Sequence, residues 1–403
     1  MKIGIIREGK VPPDSRVPLV PDQAARLHEY AGASLCVQPS PGRCFDDAAY
    51  REAGVPFCDT LTDCDVLMGV KEVPIEQLVS GKTYFFFSHT IKKQAYNRDL
   101  LRAILAKHIR LLDYETLVNA QGRRVIAFGR FAGMVGAHNA LYAYGQRTKA
   151  FELPRLNSLY DYAEAQRIYR RTSLPPVRIV LTGTGRVGNG AAEVLNDMGI
   201  RRVEPKVFLE RDFDEAVYTQ LQNRHYAERP DGGFDRQEYF DHPERYRSKF
   251  APYTRRADIF INGIYWDNDA PAFFTPADML RSDFRIRTIA DVTCDIAPVT
   301  SVPATIMAST IAEPLFGYDP ATGQRTTLHQ DHVIDMMTID NLPNELPRDA
   351  SRSFGEQFIE HVWPQLYGEY VEGKPSAMLR RATITWKGEL GPNYQYLADY
   401  VAD

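Results

Sequence analysis

Short apolar runs alternate with stretches of helical period along the first third of the chain. Runs at 2–7, 65–70, 83–88 and 109–113 each stop at a polar residue, and amphipathic segments at 21–30 and 95–107 lie between them. Apolar runs without internal alternation fit strands buried on both faces, and the intervening period fits covering helices, so the pattern predicts a parallel sheet wrapped by helices. Further on, a helical stretch at 133–145 precedes a polar, aromatic segment at 151–176, and apolar runs resume at 177–181, 206–209, 259–264, 288–291 and 305–309. Between 210 and 256 the chain is charged and aromatic, with Arg229-Pro230-Asp231-Gly232-Gly233 as a turn, and it reads as an exposed excursion without a defined fold. After Ile339 the helical period returns, punctuated by Leu342-Pro343 and Leu346-Pro347. The expected class is α/β, with two doubly wound Rossmann-like domains and a cleft between them. The first is discontinuous, 1–135 plus 340–403, and the second spans 136–339.

Composition agrees with this division. A chain of 403 residues exceeds the size at which single cores stop growing, ~250–300 residues. A net charge of −4 with 25% charged residues offers no basic field for nucleic acid. No apolar stretch is long enough for a membrane helix, and the start MKIGIIREGK lacks a signal-type apolar block, which predicts a cytoplasmic protein. The five cysteines, Cys36, Cys44, Cys58, Cys64 and Cys294, form no CxxC pair, so they are expected to be reduced thiols, without a metal site.

The run Arg178-Ile179-Val180-Leu181 enters Gly183-Thr184-Gly185-Arg186-Val187-Gly188, and a helical segment leaves it. This strand–turn–helix context is what a dinucleotide needs: glycines let a pyrophosphate approach backbone N–H groups at a helix start. Taking 206–209 as the next strand places Glu210 at its end, where a carboxylate would meet the adenosine ribose and repel a 2′-phosphate. Arg211 and Arg186 stand nearby, so the choice between NAD and NADP stays open, with a lean to NAD.

In doubly wound sheets ligands bind beyond the carboxyl ends of the strands. In the first domain those positions are Arg7-Glu8, Lys71-Glu72, His89 and Glu115. An amine and an imidazole at one lip can move protons near neutral pH if burial lowers the lysine pKa. Arg16 and Arg123-Arg124 are candidates to fork onto carboxylates. In the second domain Asp291 and Asp295 bracket Val292-Thr293-Cys294, and Asp340-Asn341-Leu342-Pro343 opens the returning segment.

At these residues the sequence resembles the saccharopine-forming and saccharopine-cleaving dehydrogenases. The likeness runs through Gly69-Val70-Lys71-Glu72, Lys82–Lys92, Gly122–Gly129, Ile261-Asn262-Gly263-Ile264-Tyr265-Trp266, Ile339-Asp340-Asn341-Leu342-Pro343 and the tail Ala382-Thr383-Ile384-Thr385-Trp386-Lys387-Gly388. It is strongest to the lysine–2-oxoglutarate reductase domain of aminoadipic semialdehyde synthases, and more distant to alanine dehydrogenase and the transhydrogenase nucleotide subunit. The resemblance implies reversible, NAD(P)H-dependent condensation of lysine with 2-oxoglutarate to saccharopine through an imine. It also implies that Lys71 and His89 are the acid–base pair, without deciding which is the acid. Arg16 and Arg124 would hold carboxylates, Glu72 and Glu115 would tune the pair or bind the lysine amine, and Lys92 and Phe128 would line the cleft. Gly183, Gly185, Arg186, Val187, Gly188, Glu210, Asn262, Gly263, Asp291, Asp295 and Asp340 would surround the cofactor. The sequence also resembles the fungal NAD-dependent, lysine-forming saccharopine dehydrogenases, but where those carry a cysteine pair in the nucleotide domain this chain has Val187 and Gly263. Two other readings remain: alanine dehydrogenase-like amination of a 2-oxo acid by ammonia, and a non-catalytic NAD(H)-binding subunit.

Overall fold

The computed structural model describes residues 1–402, which divide into two compact units, Met1–Phe128 with the segment from Pro347 onward, and Gly129–Leu346. The division falls outside the expected 135/136 and 339/340 boundaries because helix Gly129–Thr148 is continuous and the turn Leu342–Glu345 is tied to the same unit. Glu345 accepts hydrogen bonds from Asn139 (2.8 Å) and Arg155 (2.7 Å).

The first unit opens with β1 (Lys2–Ile5), β2 (Ser34–Val37), β3 (Val66–Met68), β4 (Thr83–Phe86) and β5 (Arg110–Asp113). They pair in parallel, β1 lying between β2 and β3. Every residue of β3, β4 and β5 is buried, which is why their centres read as apolar on both faces. The second unit holds β6 (Arg178–Thr182), β7 (Arg201–Arg202), β8 (Val217–Leu221), β9 (Ala227–Glu228), β10 (Arg247–Ser248), β11 (Ile259–Asn262), β12 (Thr288–Asp291), β13 (Leu315–Asp319), β14 (Gln324–Thr326) and β15 (Ile334–Met337). Its main sheet runs β14-β13-β15-β12-β11-β6-β8-β7, parallel from β15 to β7 and antiparallel at β13 and β14. The chain then returns to the first unit, where β16 (Thr383–Trp386) and β17 (Glu389–Leu390) extend the sheet to β17-β16-β5-β4-β3-β1-β2. The observed class is α/β with two parallel-rich sheets.

Several expected elements differ. Residues 206–209 are not a strand: Pro205 starts a helix, Pro205–Glu210, and Phe208 N–H donates to Glu204 O while Arg211 N–H donates to Val207 O. Proline pre-sets the helical φ at such a start. The strand beside β6 is instead β8, inside the segment read as an excursion. That segment also buries Tyr226, Tyr239, Tyr246, Phe250 and Tyr253 in one aromatic cluster, so its aromatics are core. Residues 305–309 contribute only an isolated bridge, Ser309 to Ile339, and β15 takes the place beside β12. The cysteines also differ: Cys36 and Cys58 form a disulfide, and Cys64 Sγ lies 3.7 Å from Cys36 Sγ. The pairing follows from a parallel bridge between Val37 and Phe57, which lays the second segment along β2. Among the described residues no helix is long and apolar enough to cross a membrane, and no cluster of potential metal ligands is present.

Candidate active site

In the first unit each strand end delivers one polar side chain to the same lip of the sheet: Glu8 after β1, Lys71-Glu72 after β3, His89 after β4 and Glu115 after β5. Two carboxylates, half-buried Glu8 and buried Asp113, shape the loops that carry them. Glu8 accepts from Val70 N–H (2.6 Å) and Lys71 N–H (2.9 Å). Asp113 accepts from Ser88 N–H (2.7 Å), Ser88 Oγ (2.6 Å) and Glu115 N–H (2.7 Å). Burial raises the pKa of Glu8 to about 7 against the two amide bonds, with Asp14 adding to the rise.

His89 takes a left-handed backbone, φ 53°, unusual for a residue with a Cβ and characteristic of functional turns. Its Nδ1 lies 2.6 Å from Glu72 Oε1, and Lys10 Nζ donates to Glu72 Oε2 at 2.7 Å. Burial pushes the Glu72 carboxyl up, but the hydrogen bonds from His89 and Lys10 outweigh it and bring it to about 2. Glu72 is therefore a carboxylate throughout the neutral range. Lys71 is in the opposite position. Its Nζ has no hydrogen-bond or ion-pair partner among the described residues, and its pKa is lowered by burial and by the charges of Arg16 and Lys10.

Arg16 is buried and forks onto Asp14, Nε to Oδ1 at 3.0 Å and Nη2 to Oδ2 at 2.6 Å. Its guanidinium lies 4.2 Å over the Phe128 ring, and Phe128 stacks on Phe354 at 4.5 Å. Arg124 pairs with Glu115 at 3.4 Å and lies 5.7 Å over Phe87. The second oxygen of that acid, Glu115 Oε2, is buried without a hydrogen-bond partner. The structure thus brings Lys71, Glu72, His89, Arg16, Glu115, Arg124 and Phe128 into one polar row on an aromatic floor. Lys92 stands apart, exposed at the end of a 3-10 turn.

The second unit carries the glycine turn at the end of β6, followed by helix Arg186–Asp197. Gly183 has φ +96°, and a Cβ there would lie 2.4 Å from Gly263 O; one on Gly188 would lie 2.1 Å from Gly183 O. These two glycines are required by backbone packing. Gly185 differs: nothing lies within 4 Å of its missing Cβ, which leaves the helix start open to an anion. Val187 and Gly263 meet across the turn. Asn262 and Asp291 are fully buried, contrary to a role in touching the cofactor through their side chains. Asn262 donates to Asp291 Oδ1 (2.9 Å) and Ser301 Oγ (3.0 Å), and Thr305 donates to Asp291 Oδ2 (2.6 Å). They hold the loops beneath the turn. Burial raises Asp291 to about 6. Asp291, Asp295 and Asp340 gather around Cys294, whose thiol burial and these charges push up to about 12.

Glu210 is misplaced in the sequence reading. Arg178, which opens β6, donates from Nη2 to Phe208 O and from Nη1 to Arg211 O at 2.9 Å. Residues 208–211 therefore lie at the amino end of the sheet, opposite the glycine turn, and cannot meet the ribose there. The carboxyl end of β8 carries Gln222, Asn223 and Arg224 instead, with Gln222 and Arg224 exposed. The only signal that could have found them is β8 itself, hidden by its polar Thr219 and Gln220.

Residues 4–135 match the family described as alanine dehydrogenase/PNT, N-terminal domain. The mitochondrial alpha-aminoadipic semialdehyde synthase of Mus musculus is 32% identical over 435 residues, covering 95% of this chain and 46% of the relative. The chain thus spans about half the length of that protein. The NAD(+)-, L-lysine-forming saccharopine dehydrogenase of Neurospora crassa is 28% identical over 398 residues, covering 91% of this chain and 96% of the relative. Among solved structures, an L-alanine dehydrogenase superposes over 100% of both chains with a TM-score of 0.66 and 16% identity, a likeness of fold. The chain is therefore similar in sequence to saccharopine dehydrogenases and aminoadipic semialdehyde synthases, and similar in fold to alanine dehydrogenase.

Proposed function

We propose that this chain is a nicotinamide-dependent dehydrogenase of the saccharopine type, which joins the ε-amine of lysine to the keto carbon of 2-oxoglutarate through an imine. The observation that carries this reading is the contrast between neighbours in one row: a desolvated, unpartnered Lys71 amine beside a Glu72–His89 pair whose carboxylate stays charged. Condensation needs a base for the attacking ammonium and an acid for the departing oxygen.

Lys71 takes a proton from the substrate ammonium, and the freed amine attacks the keto carbon. The carbinolamine oxygen leaves as water, taking one proton from the attacking nitrogen and one from His89, whose ring Glu72 holds through Nδ1. The dinucleotide, when bound, supplies the hydride that reduces the imine, and Lys71 returns its proton to the resulting secondary amine. Glu115 Oε2, buried with no partner, suits a substrate ammonium, and Arg124 and Arg16 suit substrate carboxylates. The open start of helix Arg186–Asp197 at Gly185 suits the pyrophosphate.

The basis for preferring NAD disappears with Glu210. The positions directly after β8 are Gln222, Asn223 and the exposed Arg224, and Arg224 would attract a 2′-phosphate, so the favoured cofactor is NADP(H). A spectrophotometric screen of 2-oxo acids and amines with NADPH and NADH tests the whole reading. Oxidation of NADPH that requires both lysine and 2-oxoglutarate is expected. Oxidation with pyruvate and ammonia, but not with that pair, would overturn it in favour of alanine dehydrogenase-like chemistry.

A further inference from the structure

Beyond the carboxyl ends of β1 and β2, where the row ends at Arg16, lies a cavity of about 50 Å³ bordered by Glu8, Asp14, Arg16, Ser40 and Arg43. That volume is too large for one water and suits a single carboxylate group. Arg43 is the unexplained member. Its side chain is only 4% exposed, yet its nearest acid, Asp47, is 3.9 Å away. Its Nη2 donates to Gln38 O, its face lies 5.2 Å from the centre of the Tyr50 ring, and the Tyr50 side chain supports its charge by a hydrogen bond. The remaining nitrogen, Nη1, is buried with no hydrogen-bond partner. A buried cation with unused N–H groups is costly unless something accepts from it. Asp14 is not available for that task, since it already receives the Arg16 fork. Glu8 is committed to the Val70 and Lys71 amides.

We infer that this cavity is a carboxylate subsite, in which Arg43, with Arg16 on its other side, receives the carboxylate of a dicarboxylic 2-oxo acid remote from the reacting carbon. The geometry suits a short diacid. Arg16 and Asp14, which border the cavity, lie close enough to Lys71 for their charges to act on its amine. A diacid whose keto carbon lies at Lys71 therefore reaches the cavity with its far end, whereas a monoacid of the same length leaves Arg43 unsatisfied. Loss of a buried charge-assisted partner is the kind of interaction that discriminates strongly between such substrates.

This inference rests on the active-site placement proposed above, but its test does not require turnover. Glutarate and butyrate, which are unreactive, are titrated into the full-length protein by calorimetry, with Arg43→Gln and Arg43→Lys in parallel. Wild type is expected to bind glutarate at least about tenfold more tightly than butyrate, and Arg43→Gln to lose most of that ratio. Arg43→Lys keeps the charge without the fork, so it should retain part of the preference; it decides the matter if the glutamine variant fails to fold. Equal affinity of wild type for the two acids, or a preference that survives both substitutions, would show that the cavity holds only water. A glutarate preference without turnover of lysine and 2-oxoglutarate would sink the proposed reaction while keeping the subsite.

Discussion

Glu8→Gln separates a carboxylate that positions the Lys71 loop from one that merely fills space. Moving a carboxyl from its ordinary 4.5 to about 7 withholds about 3 kcal/mol from its charged form. The folded protein keeps a proton that the unfolded chain releases, so wild-type stability falls as pH rises from about 4.5 to about 7, then levels off. Glutamine has no such titration. It supplies one acceptor where Glu8 supplies two, so one of the amides of Val70 and Lys71 is left buried and unsatisfied, at a cost of about 1–3 kcal/mol at every pH. Near pH 4 the variant should be less stable by that amount. Near pH 8.5 the wild type carries its own burial penalty of about 3 kcal/mol, and the gap should close or reverse. Urea unfolding followed by far-ultraviolet circular dichroism at both pH values measures the gap, and other titrating groups cancel between the two proteins. A gap that is the same at both pH values, within about 0.5 kcal/mol, would refute the assignment of Glu8 as the titrating group.

Replacing both proton carriers, Lys71→Met with His89→Gln, should lower turnover by about 10³-fold or more while NADPH affinity, read by fluorescence titration, changes less than about threefold; unchanged turnover would remove the pair from the chemistry. Arg224→Gln should weaken NADPH binding by about tenfold and leave NADH nearly unaffected, whereas Glu210→Ala should alter neither. A loss of NADH affinity in the Glu210 variant would restore that residue to the ribose.

The glycine turn and the strand-end residues were readable from the chain because each depends on local pattern. The run before Gly183 is apolar through Leu181, the glycines recur at fixed spacing, and Lys71 and His89 stand directly after apolar runs. Burial on both faces writes such strands into the sequence without need of long-range information. The second strand of the nucleotide unit was misread for the same reason. β8 contains Thr219 and Gln220, which are buried because Gln220 donates to Gly183 O at 2.9 Å, a partner distant in sequence. The run at 206–209 looked more strand-like only because its helix is so short.

By itself, then, the sequence determined the α/β class, the turn that suits a dinucleotide and the row of acid–base candidates, since all three are functions of residue type and near-neighbour spacing. Only the tertiary structure decided how those groups are charged and partnered. Glu72 is held down by His89 and Lys10 together, Lys71 is left desolvated and alone, Glu210 is carried to the amino end of its sheet, and Arg43 is buried beside a cavity with a nitrogen to spare. Each of these depends on side chains brought together from separate strands and loops, and burial and pairing, which set protonation and ligand preference, come into being only when the sheet assembles.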